Sequence, residues 1–230
     1  MPTWTRDDGS CALCESTVHC GIHHGPVKPK RTRRTKKPRT IGASEIASIL
    51  GVDPYCTPQE RYLQFRGEAP RDAENEHMLR GKALEGGLAK WWKALSGADS
   101  LKTQVKLLHP NGWARATPDG LATVGGELVV LETKCPAGYR SWDDRAGKYP
   151  FQYHVQVVWQ LGVAQACGLE VKRAELAAGP IFGRLLRFSI QPDPEFFALA
   201  MTRAETFLKC VETGEPLPSA FHEAAQEASP

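Results

Sequence analysis

With 230 residues, 41% of them hydrophobic and 24% charged, the chain has enough apolar material for one compact domain with a short appendage, which excludes a second large domain within these residues. No apolar run approaches the roughly 18 residues of a membrane-crossing helix and the start lacks the apolar stretch of a secretory signal, so a soluble, cytoplasmic protein is expected. The formal net charge of +3 hides an asymmetry: eight Lys and Arg and no acid lie within residues 28–39, leaving the remainder net negative. A cationic stretch of this kind suits a polyanion such as nucleic acid, and equally a solvated linker.

Residues 1–40 are rich in Cys, His, Pro, Lys and Arg and nearly empty of large aliphatics, so they contribute little core. Cys11-x-x-Cys14, then Cys20 and His23 or His24, supply four nitrogen and sulfur ligands at a spacing compatible with a tetrahedral structural Zn²⁺. A zinc knuckle over 1–27 followed by a basic linker over 28–40 is one reading; a disordered tail with incidental thiols is the other. Seven cysteines are an odd number, which disfavours a disulfide framework, and Cys56, Cys135, Cys167 and Cys210 read as reduced, buried thiols.

From Ile41 the pattern becomes that of a folded domain, taken to run over 41–218 with a tail at 219–230. Ser44 to Leu50 reads as a short helix. Thr57-Pro58-Gln59-Glu60 opens a second with a capping box and proline at its first position, and Gly67 ends it. A longer helix is expected over 74–95, with Leu84, Leu88, Trp91 and Leu95 as its buried stripe and Glu85 at the margin. Between Thr103 and Lys134, short apolar runs broken by Pro110-Asn111-Gly112, Pro118-Asp119-Gly120 and Gly125-Gly126 have the signature of a β-meander. Leu128 to Lys134, apolar on both faces at first, reads as a strand inside a covered sheet. Phe151 to Cys167 reads as a buried helix, Val171 to Ala177 and Leu185 to Ile190 as strands, and Glu195 to Val211 as a closing helix. That order predicts an α/β (α+β) fold with a central mixed sheet flanked by helices.

Residues two apart on a strand share a face, so Glu132 and Lys134 project side by side, about 7 Å apart along the chain. Alone, such a pair is most simply a salt bridge where a strand meets solvent. Asp119 alters the balance: an acid in the turn closing the preceding hairpin, it could converge with Glu132 and with Glu85 from the upstream helix. Oxygen donors of this sort suit a hard divalent cation, which takes one or two carboxylates with waters and substrate phosphate. Asp119, Glu132 and the Thr133 carbonyl would hold Mg²⁺ or Mn²⁺, with Glu85 completing the shell, and Lys134 would orient and help deprotonate a water. The apolar strand would lower the lysine's pKa for that role while neighbouring carboxylates would raise it. Gln152, Gln156 and Gln160 recur every fourth residue, and their amides line one side of the expected helix.

Five blocks carry a family resemblance: Ile41-Gly42-Ala43-Ser44-Glu45-Ile46-Ala47, Gly81-Lys82-Ala83-Leu84-Glu85, Thr117-Pro118-Asp119-Gly120, Leu131-Glu132-Thr133-Lys134-Cys135-Pro136 and Tyr153-His154-Val155-Gln156. In this order they resemble the YqaJ-like viral recombinases, the group containing phage lambda exonuclease, over about residues 41–218. The resemblance implies a PD-(D/E)xK nuclease core, Mg²⁺ dependence, and 5′ to 3′ digestion of one strand from duplex DNA ends for an annealing partner. It implies catalytic roles for Glu85, Asp119, Glu132, Lys134 and Gln156, and a 5′-phosphate site at Ser44 and Thr117 with Arg39 as the candidate arginine. It raises a homo-oligomer, a trimer in the lambda enzyme. An endonuclease or structure-selective nuclease, and a non-catalytic DNA-binding accessory, are the alternative readings.

Overall fold

The computed structural model describes residues 39–221 except 72–73, 137, 139–140 and 180–182. The expected zinc ligands Cys11, Cys14, Cys20, His23 and His24 and nearly all of the basic run lie outside the described residues. Twelve elements follow in the order α1 (Ala43–Ile49), α2 (Pro58–Arg66), α3 (Glu76–Ser96), β1 (Ser100–Lys102), β2 (Leu107–Leu108), β3 (Arg115–Ala116), β4 (Gly120–Val124), β5 (Glu127–Lys134), α4 (Phe151–Ala166), β6 (Val171–Ala178), β7 (Leu186–Ile190) and α5 (Pro194–Thr213).

Local chemistry accounts for the helix ends. Glu45 reaches back from the first turn of α1 to accept the Gly42 N–H at 2.7 Å. The capping box at Thr57 forms as its sequence requires: Thr57 Oγ1 accepts the Glu60 N–H, and Glu60 accepts the Thr57 N–H. Gly67 ends α2 in the left-handed region at φ 78°, where a side chain would be strained. Asn75 caps α3 through the Met78 N–H. The buried stripe of α3 is Leu88, Ala89 and Trp92, with Leu84 and Trp91 packed at its edge. Leu95, expected inside, is 53% exposed, one residue before the helix ends at Ser96.

Five strands form one sheet in the order β1-β4-β5-β6-β7, with β5 and β6 parallel and every other pair antiparallel. The anticipated meander is therefore interrupted. β2 and β3 pair only with each other, as a separate ribbon between β1 and β4. The β4–β5 hairpin turns at Gly125-Gly126, so Pro118-Asp119-Gly120 is not a hairpin corner; it is the entry to β4.

β5 occupies the middle of the sheet and is covered on both faces. Val129 and Leu131 pack with Leu88, Ala89 and Trp92 of α3, while Val130, of opposite parity, packs with Val157, Val158 and Leu161 of α4. Glu132 and Lys134 share the parity of Val130 and so belong to the α4 side. A third cluster is shared by α1, α2, α4, α5 and the segment after α5, and includes Ile46, Tyr62, Trp159, Phe207 and Phe221. Phe221 is 1% exposed, so the core continues past the expected boundary at residue 218.

Gly162 shows how closely α4 meets α5, because a Cβ there would fall inside contact distance of the Phe197 ring. Gly162→Ala is expected to destabilise the protein by about 1–3 kcal/mol through overpacking, despite the better helix propensity of alanine. A lowered urea midpoint at unchanged slope is the expected result.

Candidate active site

The charged end of β5 is tied to three other segments. Glu132, 3% exposed, accepts two hydrogen bonds at Oε1, from Lys134 Nζ at 2.6 Å and Gln156 Nε2 at 2.5 Å, and one at Oε2 from Gln160 Nε2 at 2.8 Å. Both glutamines come from α4, whose four-residue spacing brings their amides to the same carboxylate. Between the acid and the lysine, the Thr133 N–H and hydroxyl each donate to Asp119 Oδ2 at 2.6 Å. Asp119 is thus fastened to the middle residue of the Glu132-Thr133-Lys134 run, although it enters from the β3–β4 link. Glu85 approaches from α3 and meets Gln104 at 3.4 Å. With Lys82, Gly86, Ala89 and Thr103, these two residues and Asp119 line a cleft of about 470 Å³.

Burial pushes the Asp119 carboxyl above its ordinary range, against the Thr133 hydrogen bonds and the Lys134 charge, and the Glu85 charge adds to the rise. Glu132 is also pushed up by burial, with Lys134 opposing and Asp119 reinforcing. For Lys134, burial favours the neutral amine, but the attraction and hydrogen bond of Glu132, with Asp119 behind them, outweigh it and hold the ammonium above its ordinary value. Of the two opposing effects expected for this lysine, the neighbouring carboxylates therefore prevail over burial and favour the charged form. Its charge also stands 5.1 Å from the centre of the Tyr153 ring.

Among the described residues no three His, Cys, Asp or Glu side chains are gathered as a ready-made metal cage. The donor set nonetheless fits a hard divalent cation of the Mg²⁺ type, which needs only one or two carboxylates. Asp119 Oδ1 accepts no hydrogen bond among the described residues, which leaves one oxygen of this carboxylate for a cation.

The expected 5′-phosphate residues fare differently. Ser44 is exposed in the first turn of α1, and Thr117 is exposed just ahead of Pro118. Arg39 donates to the Val211 carbonyl at 3.1 Å, which ties its guanidinium to the end of α5. Arg115 also faces the start of α1: its guanidinium bonds Thr40 Oγ1 at 3.1 Å and Glu45 at 3.5 Å and crowds the Cα of Gly42, while Arg71 reaches Glu45 at 4.0 Å.

Sequence reasoning left Gln160 without a role and missed Gln104 and Tyr153. The four-residue glutamine spacing pointed to Gln160. Gln104 adopts φ +58°, alone among the described non-glycine residues in the left-handed region, and nothing in Lys102-Thr103-Gln104-Val105 signals such a turn.

The sequence model of the YqaJ-like viral recombinase domain matches residues 30–167. Uncharacterized protein YqaJ of Bacillus subtilis (strain 168) is 32% identical over 141 residues, which cover 60% of this chain and 42% of the relative, so the chain spans less than half of that relative's length. An alkaline exonuclease from Laribacter hongkongensis superposes with a TM-score of 0.63 at 19% identity, over 76% of this chain and 89% of its own. Its complex with dAMP gives 0.62 at 20% identity over the same shares. A phage-related exonuclease from Haemophilus somnus 129PT gives 0.54 at 14% identity, over 76% and 94%. The mixed sheet with flanking helices is the PD-(D/E)xK-type fold of these exonucleases.

Proposed function

The chain belongs to the YqaJ-like viral recombinase family, and from that premise and the cluster at the end of β5 we propose that it is a divalent-metal-dependent deoxyribonuclease that digests one strand of duplex DNA from its ends, 5′ to 3′, to supply single strands for annealing. The observation that carries this reading is the pair of hydrogen bonds from Thr133 to Asp119, which pins an acid from one segment between Glu132 and Lys134 of another. Hard oxygen ligands beside one ammonium are the set that metal-assisted phosphodiester hydrolysis uses. The dAMP in the Laribacter exonuclease complex, a mononucleotide of the kind that stepwise digestion from an end releases, is in keeping with it.

Asp119, Glu132 and the Thr133 carbonyl, with Glu85 from α3, would hold a Mg²⁺ or Mn²⁺, which when bound would supply Lewis acidity. The protein's own groups do the rest. Lys134 keeps 22% of its side chain open to solvent and, among the described residues, spends one N–H on Glu132. Its other two N–H groups are free for an attacking water and a non-bridging phosphate oxygen, so it orients the water and offsets charge as the phosphate becomes more negative. Gln156 holds Glu132 from the same side as Lys134 and fixes the lysine's acceptor.

Digestion of a linear duplex in Mg²⁺, alongside the same sequence as a closed circle, tests the end requirement. Release of acid-soluble nucleotide from the linear form and an untouched circle are expected. Linearisation of the circle would replace this reading with an endonuclease.

A further inference from the structure

Gln160 has no part in the steps above, yet it is bonded to the acid at their centre. It lies one turn beyond Gln156 on α4, 1% exposed, and its Nε2 donates to Glu132 Oε2 at 2.8 Å. Its own Oε1 is buried and accepts no hydrogen bond among the described residues. A buried orphan acceptor costs stability, and methionine would fill the same length without that cost. Turning the amide over offers no relief, since it would set the amide oxygen against a carboxylate oxygen. The whole hydrogen-bonding capacity that Gln160 uses is therefore directed at Glu132.

Each carboxylate oxygen has two acceptor positions. At Glu132 Oε1 both are filled, by Lys134 and Gln156, whereas at Oε2 Gln160 fills one. The electron pair left for a cation is on the oxygen that Gln160 holds. We propose that Gln160 is a positioning residue that fixes the carboxylate plane of Glu132 through Oε2 and so aims its one unused lone pair at the divalent cation. This inference rests on the reading of the cluster as a metal centre.

The test is Gln160→Met in the full chain, with Mn²⁺ as the probe. Mn²⁺ binding is measured by calorimetry, the Mn²⁺ dependence of nucleotide release is titrated, and melting is followed without metal. The metal-free melting temperature should stay within about 3 °C of the parent, because the orphan acceptor and the lost hydrogen bond offset each other. Half-saturating Mn²⁺ should rise about 10-fold or more, the usual effect of removing a group that orients a metal ligand, with the rate at saturating Mn²⁺ largely restored. An unchanged Mn²⁺ requirement, whatever happens to the melting temperature, would mean that Gln160 is only a packed core side chain and would overturn the proposal.

Should Gln160→Met fail to fold, the parent protein labelled with nitrogen-15 in glutamine gives a second route. The Gln160 side-chain NH₂ pair should move on Mg²⁺ addition with the same midpoint as activation of nucleotide release; an unmoved pair would overturn the inference. Failure of the parent itself to bind Mn²⁺ or Mg²⁺ would remove the metal centre, and with it the proposed function. An altered binding constant in the parent's favour separates the two.

Discussion

Lys134→Met should slow nucleotide release about 10²–10³-fold at saturating Mg²⁺, the range seen when one preorganised donor to a developing anion is removed. The expectation follows from the lysine being a cation fixed by Glu132 at 2.6 Å, with the rest of its ammonium free to meet a phosphate. Binding of duplex ends, measured in EDTA so that nothing is cut, should change far less, because one phosphate contact among many is lost. The substitution should also lower stability. Glu132 is 3% exposed and would lose its cation, and breaking a buried ion pair typically costs about 3–5 kcal/mol. The effect here should fall at or below the lower end, since the lysine side chain is partly open to water and Gln156 and Gln160 would still hold the carboxylate. A variant that kept the parent rate would remove Lys134 from the chemistry.

Asp119→Asn should abolish detectable nucleotide release and yet make the metal-free protein harder to melt. Burial and the neighbouring Glu85 charge raise the Asp119 carboxyl above its unfolded value, so the folded state favours the protonated form. The sign follows from linkage: stability associated with this group is fully present below the ordinary carboxylate range and is lost as pH rises through the folded-state pKa. Asparagine cannot ionise and so does not suffer that loss, and its side-chain oxygen can still accept from Thr133. At neutral pH the variant should melt above the parent, and the gap should close as pH falls. Mg²⁺ should raise the melting temperature of the parent and not of Asp119→Asn. A variant less stable than the parent at neutral pH would show that the acid is held for structure.

Much of this arrangement is legible in the sequence because local signals agree with the global fold. The capping box at Thr57, the left-handed Gly67, and the doubly covered β5 each follow from a few adjacent residues. So does the approach of Glu132 to Lys134, since strand parity alone sets it. Convergence of Asp119 with that pair depends on pairing across the sheet. Its turn-like surroundings suggested a hairpin corner, whereas the residue is held by Thr133 at the mouth of β4. Leu95 fitted the helical period but is exposed one residue before α3 ends, a fact of element length that periodicity does not contain. The charge state of Lys134 was a balance of burial against two acids, and only their placement settles it. Arg115 gives no sign in the sequence of facing α1, because a short bridge between Ile41 and Ala114 brings it there.

The most direct measurement is the release of acid-soluble nucleotide from a linear duplex by the purified chain, first in EDTA and then with Mg²⁺ in excess. Silence in EDTA, and release on adding Mg²⁺ that Asp119→Asn does not share, is the predicted result. Release that proceeds in EDTA, or that Asp119→Asn retains, would contradict a reaction built on carboxylates and a divalent ion at the end of β5.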